Sequence, residues 1–302
     1  MDRRTALLAL AHAGLLALAR PVAAQRPPRI VFLNPGEPVE RGTGPYWRMV
    51  TQFMNAAAKS FGMQLKVIYM ERDHLLMLRR AEEVARRAEA PDYVVIVNEK
   101  MAAQQMLQML APSPAKVFLI HNDLTPEQRR EIGHERQHIR TWIGTATTDA
   151  ARGRYLLMEY LYHRLGDREA RIIGITGDPN TPVSLERTQG VQDYVAHAGR
   201  GRIHQLAFGD WSYADGEHKA AVLLAGCLDT NMTWASNGSM ALGALRAVRA
   251  RGASVHERGP IGSRQRRGPA ATRSMSYCPR RQSWIRAPLK LCCSMSFARN
   301  RV

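Results

Sequence analysis

Two patterns in this 302-residue chain could do chemistry. One is His134-Glu135-x-x-His138, where histidines a helical turn apart can bind zinc while the glutamate acts as base. Glu159, 21 residues beyond His138, could add a third ligand. That chemistry needs a helix running through both histidines. Gly133 precedes the motif and the strand-like IRTWIG follows it, so it reads as a polar linker, with a zinc metallopeptidase as the alternative. The second pattern is a set of polar groups, each directly after an apolar run: Asn34-Pro35-Gly36, Asn98-Glu99, Asn122-Asp123, Thr147-Thr148-Asp149, Gly177-Asp178, Gly209-Asp210-Trp211 and Asn237-Gly238. Asn offers donors and acceptors, and Asp acceptors, to ligand hydroxyls. The same residues also build turns, so no single position decides between the two roles.

The apolar runs that carry these groups read as strands: 29–34, 65–70, 93–98, 116–122, 141–145, 171–177, 202–208 and 232–236. They are short, continuous and rich in Val, Ile and Leu, as strands buried on both faces of a parallel sheet must be. Helical spacing fills the intervals. Trp47, Val50, Met54, Ala57, Ala58 and Phe61 share one face, and further helices are expected near 74–89, 100–110, 148–165, 185–197, 215–226 and 239–251. Alternation of this kind predicts an α/β fold of doubly wound parallel sheets, in which ligands bind beyond the carboxyl ends of the strands. The polar groups stand at those ends.

The charge of +17 is unevenly placed. Twelve Lys and Arg against one acid lie from Arg251 onward, and three Arg against Asp2 lie in the first 24 residues, so the body between is nearly neutral. The basic end has no aromatic interleaving or nucleic-acid module, and no nucleic-acid partner is expected. No G-x-G-x-x-G or P-loop is present, which leaves nucleotide chemistry without support, and no cofactor or metal is expected. Arg3-Arg4, a short apolar run, Arg20-Pro21 and Val22-Ala23-Ala24 read as a secretory signal over 1–24, implying a periplasmic location. Cys227 is alone in the body, while Cys278, Cys292 and Cys293 fit no zinc spacing.

Five segments carry a resemblance to a known family: FLNPG with Tyr46-Trp47, PDYVVIVNEK, WIGTATTDAARGRYLLMEYL, IIGITGDPNTPVSLERTQGVQDYV and WASNGSMALGALRAVRARG. From Arg29 to about Val255 the chain resembles type I periplasmic solute-binding proteins of sugar ABC transporters, the ribose-binding class. The resemblance implies two Rossmann-like lobes joined by a hinge, a first at 25–145 and a second at 146–255, closing on a small sugar or polyol without converting it. It implies ligand-binding roles for Asn34, Tyr46, Trp47, Asn98, Glu99, Asp149, Arg187, Trp211 and Asn237. The implied partners are an ABC permease or a membrane sensor kinase, and the implied state is a monomer. Lac-repressor-like transcription factors share the fold but carry an N-terminal helix-turn-helix where this chain has its signal.

The sequence departs from the family pattern in places. Gly238 stands where the family has Asp after Asn237, and Ser184 or Leu185 stands where an Arg is expected. Beyond Val255 the family's next strand, ending in Gly-Phe-Asp, is not visible, and 256–302 reads as a basic tail from a changed reading frame. That reading predicts the missing strand in another frame of the gene; a gene without it refutes the idea.

Overall fold

The computed structural model describes residues 26–39 and 44–252, so the expected signal and basic tail lie outside the described residues. Strands and helices alternate along the chain. They are β1 (Arg29–Asn34), α1 (Tyr46–Ser60), β2 (Gln64–Tyr69), α2 (His74–Ala85), β3 (Tyr93–Val97), α3 (Ala103–Leu110), β4 (Lys116–His121), α4 (Pro126–Ile132) and β5 (Trp142–Thr147). Then follow α5 (Ala150–Leu165), β6 (Ala170–Thr176), α6 (Pro182–Ala198), β7 (Gly201–Phe208), α7 (Tyr213–Gly226), β8 (Met232–Ala235) and α8 (Gly238–Ala250).

The strands form two parallel sheets, one in the order β2-β1-β3-β4-β5 and one in the order β7-β6-β8. Side chains alternate across each sheet. In β1, Val31 and Leu33 enter a core built with Met77 of α2 and Met106 of α3, while Phe32 enters a separate core with Trp47 of α1. The second sheet does the same: Ile173 and Ile175 pack under α7 and α8, whereas Ile172 faces α5 and α6. Both faces of each sheet are therefore covered by helices, which is why the inner strands β1, β3 and β6 are apolar nearly throughout, while the edge strands β2 and β7 carry polar residues. Helices α7 and α8 come together through small residues; a side chain at Gly243 would collide with the Tyr213 carbonyl.

Two expected helices differ in the structure. The 74–89 helix stops at Ala85, with Arg86 as its C-cap. The 100–110 helix is broken: Glu99–Met101 forms a 3₁₀ turn with Lys100 and Met101 at positive φ, and α3 begins only at Ala103. The Asn98 side-chain oxygen accepts from Ala103 N at 3.0 Å, which fixes the break at that point.

Helix α4 was not expected at all. Its cap is a reciprocal box between Thr125 and Gln128, with Pro126 opening the first turn. The helix ends at Gly133 (φ 77°), before the His-Glu-x-x-His motif begins. His134 and Glu135 both turn back onto Arg129, and Arg136 has φ 63°. No helix carries the two histidines, so the zinc reading lacks the geometry it needs.

Candidate functional site

Backbone strain marks one region. Among the described residues, seven non-glycine residues have positive φ, and six of them follow strand ends: Glu71 and Arg72 after β2, Lys100 and Met101 after β3, His121 at the end of β4, and Trp211 after β7. Left-handed backbone is costly for residues with a Cβ and persists where the surroundings impose it, commonly at functional sites. All six lie at the carboxyl ends of strands, where open parallel sheets present their ligand sites.

The first lobe contributes an aromatic and charged wall. The Tyr46 hydroxyl lies 2.9 Å from His121 Nδ1, and the Trp47 ring stands edge-on to both rings at centroid distances of 5.0 and 5.3 Å. Burial, reinforced by the positive charges of Arg187 and Arg72, drives the His121 pKa down from 6.5 to about 3. The ring is neutral at any physiological pH. Burial also raises the Tyr46 pKa, so its phenol stays protonated. Arg72 donates to the buried Glu99 carboxylate at 2.5 Å; burial pushes the Glu99 carboxyl up while Arg72 pulls it back.

The second lobe contributes Trp211, Arg187, Ser236 and Asn237. Arg154 and Arg187 both donate to the Ser236 carbonyl, at 2.8 and 3.1 Å. Asn237 caps α8 by accepting from Met240 N, and its amide donates to the Trp211 carbonyl at 2.9 Å. The lobes meet across this region. Arg72 of the first lobe and Arg187 of the second have their guanidinium carbons 5.9 and 5.8 Å from the Trp211 ring centroid. Gly44, at φ +86°, lies so close to α8 that a Cβ there would stand 2.5 Å from Ser239 Oγ. Glu186 of α6 has its pKa raised to about 7, by burial first and then by Asp123 of the first lobe and Asp149.

The structure thus brings Tyr46, Glu99, Arg187 and Trp211 of the sequence-derived set to one junction. The others have different occupations. Asn34 donates to the Trp47 carbonyl and Thr51 Oγ1 and accepts from Gly36 N. Asn98 holds Asp123 O, Gln128 and Ala103 N. Asp149 is an exposed cap of α5, accepting from Arg152 N at 2.9 Å. Trp47 is 8% exposed and packs in the core under β1. These side chains, with Asn237, act first as the braces of the strand-end loops. Arg72, His121 and Glu186 were missed; only the position of Arg72 just past a strand end, and of His121 at one, could have flagged them.

Several buried polar atoms here have no protein partner among the described residues: Trp211 Nε1, Asn122 Oδ1, Thr181 Oγ1 and Ser236 Oγ. They amount to a donor, an acceptor and two hydroxyls, which can do either. Buried polar groups ordinarily find partners, so this set is a hydrogen-bonding capacity held in reserve. Among the described residues, no group of three or more His, Cys, Asp or Glu is arranged to hold a metal ion.

Comparison with known proteins gives consistent results. A family model described as a periplasmic binding protein domain matches residues 39–261. The D-ribose/D-allose-binding protein of Pseudomonas aeruginosa is 38% identical over 106 residues, 34% of this chain and 32% of that protein. The HTH-type transcriptional regulator AscG of Escherichia coli is 36% identical over 84 residues, 28% of this chain and 25% of that one. The chain therefore aligns with a third or less of these relatives' lengths. A solved periplasmic sugar-binding protein from Pseudomonas fluorescens superposes with a TM-score of 0.66 at 32% identity, covering 74% of this chain and 65% of that one. The Caulobacter myo-inositol binding protein bound to myo-inositol superposes at 0.62 with 18% identity, covering 78% and 73%, a likeness of fold.

Proposed function

This chain belongs to the periplasmic binding protein domain family, and on that premise we propose that it captures a small polyhydroxylated ligand, a sugar or cyclic polyol, between its two lobes. It is a binding protein rather than an enzyme. The observation that carries the ligand class is the set of partnerless buried donors and acceptors in the strand-end loops of both lobes, Asn122 in the first and Thr181, Trp211 and Ser236 in the second. Sugars present apolar C–H faces that pack on aromatic rings and hydroxyls that need directed partners. His121, neutral and hydrogen-bonded to Tyr46, adds a polar group without adding charge. The bound sugar is handed on by the closed lobes to an ABC permease after export to the periplasm. Within the sequence-derived set, Tyr46, Glu99, Arg187 and Trp211 touch or flank the ligand, and Asn34, Trp47, Asn98, Asp149 and Asn237 position the loops that do.

The test is a calorimetric titration and thermal-shift screen of the purified chain against D-ribose, D-allose, myo-inositol and related hexoses. A true ligand at a hundredfold excess over its Kd stabilises the folded state by about 2.7 kcal/mol, a clear rise in Tm. A folded preparation that gives neither heat nor a Tm shift with any of these compounds refutes the sugar reading.

A further inference from the structure

Arg72 follows β2 in a loop that turns back on its neighbour: its amide donates to the Pro35 carbonyl at 2.8 Å and that of Glu71 to the Gly36 carbonyl at 3.0 Å. Glu71 and Arg72 are both left-handed, at φ 48° and 58° respectively. The side chain is held as firmly, by a 2.5 Å ion pair in which Glu99 is 3% and Arg72 17% exposed. Trp211, in the other lobe, is fixed in a comparable way. It has φ 75°, its carbonyl accepts from Asn237, and its ring lies against Gly177, where any side chain would collide with it. Two strained, separately braced residues from opposite lobes thus meet as guanidinium and indole. Such a contact is worth little in water and more when desolvated, and Trp211 is 7% exposed.

We propose that Arg72 is a positioning residue of ligand capture: braced by Glu99, it docks on Trp211 as the lobes close, forming a latch that sets how much of the closed form exists before ligand arrives. This rests on the reading that the lobes close around a ligand. Apparent affinity falls in proportion to the competent fraction, so a lost latch weakens capture without removing a ligand contact. Losing a cation–π contact of this kind corresponds to roughly 3- to 30-fold weaker binding.

The decisive readout is small-angle scattering of the unliganded 302-residue chain, which a residue that only touches ligand would not move. Arg72→Gln is expected to enlarge the radius of gyration toward an open form at unchanged secondary structure. Arg72→Lys and Trp211→Phe, which keep a cation and a ring, should fall between it and the parent, and they decide the matter should the glutamine variant not fold. Scattering from these variants that superimposes on the parent's overturns the latch. Because no ligand enters the measurement, a failed sugar screen would sink the ligand reading and leave this comparison standing.

Discussion

His121 and Glu186 belong to opposite lobes, share Arg187 as a neighbour, and have proton affinities displaced in opposite senses. His121 falls from 6.5 to about 3 through burial and the charges of Arg187 and Arg72; Glu186 rises from 4.5 to about 7 through burial and the charges of Asp123 and Asp149. Stability rises with pH wherever the unfolded chain binds more protons, and falls where the folded chain does. Between 4.5 and 6.5 the unfolded chain holds the extra proton on His121 and the folded chain holds it on Glu186, so the two slopes offset. Each single variant should expose the other. In Glu186→Gln, only His121 remains, and stability should fall on acidification from 6.5 downward. In His121→Gln, only Glu186 remains, and stability should climb as pH drops from 7 to 4.5. Each change is on the order of a few kcal/mol. Urea midpoints at several pH values read it directly, and variants whose midpoints keep the parent's pH profile would show that these two groups do not set it.

At the scale of elements, α8 and the loop before α1 show how the site is held. Asn237 does two jobs with one amide, its oxygen capping α8 and its nitrogen bonding the Trp211 carbonyl. Asn237→Asp keeps the cap and loses the donor, so melting should stay near the parent value while affinity for the sugar found by screening drops. Asn237→Ala should additionally lose about 1 kcal/mol of stability. Equal losses of affinity and stability in both would mean that the Trp211 bond carries nothing specific. Gly44→Ala should weaken binding through both its left-handed φ and its collision with Ser239, and Ser239→Ala should restore only the collision's share. A double variant no better than the single would remove the cross-lobe contact from the account. Elements of this fold were legible where the physics is local. Continuous apolar runs placed every strand within about two residues, since a buried parallel strand must be apolar along its length. The seven residues of α4 are too few to show a period, although the T-x-x-Q box that caps it stands in the sequence. The candidate site was half legible. Strand-end position found Glu99 and Trp211, and the family resemblance added Tyr46 and Arg187, but residue type alone could not separate an asparagine that braces a loop from one that faces a ligand. Arg72, His121 and Glu186 acquire their roles from residues far away in the chain, Trp211, Tyr46 and Asp123 among them, a long-range pairing that sequence order does not encode.

The whole molecule divides along the same line. Among the described residues, each of the four hydrophobic clusters draws on one lobe alone; none mixes residues from before Thr147 with residues from Ala150 onward. The lobes meet instead through polar and aromatic groups at strand ends, such as Arg72 with Trp211 and Gly44 with Ser239. Independent cores make for independent unfolding, because cooperativity comes from shared burial. The second lobe has three strands among the described residues against five in the first, so it should be the weaker unit. Differential scanning calorimetry of the unliganded chain should therefore show two transitions, with near-ultraviolet loss of the Tyr155, Tyr162 and Tyr194 cluster accompanying the earlier one. A ligand held by both lobes adds binding energy that is forfeited when either unfolds. Saturation with the sugar found by screening should then move the lower transition upward and merge it with the upper one. A single calorimetric transition in the unliganded chain, with van't Hoff and calorimetric enthalpies equal, would mean that the polar junction couples the lobes as tightly as a common core.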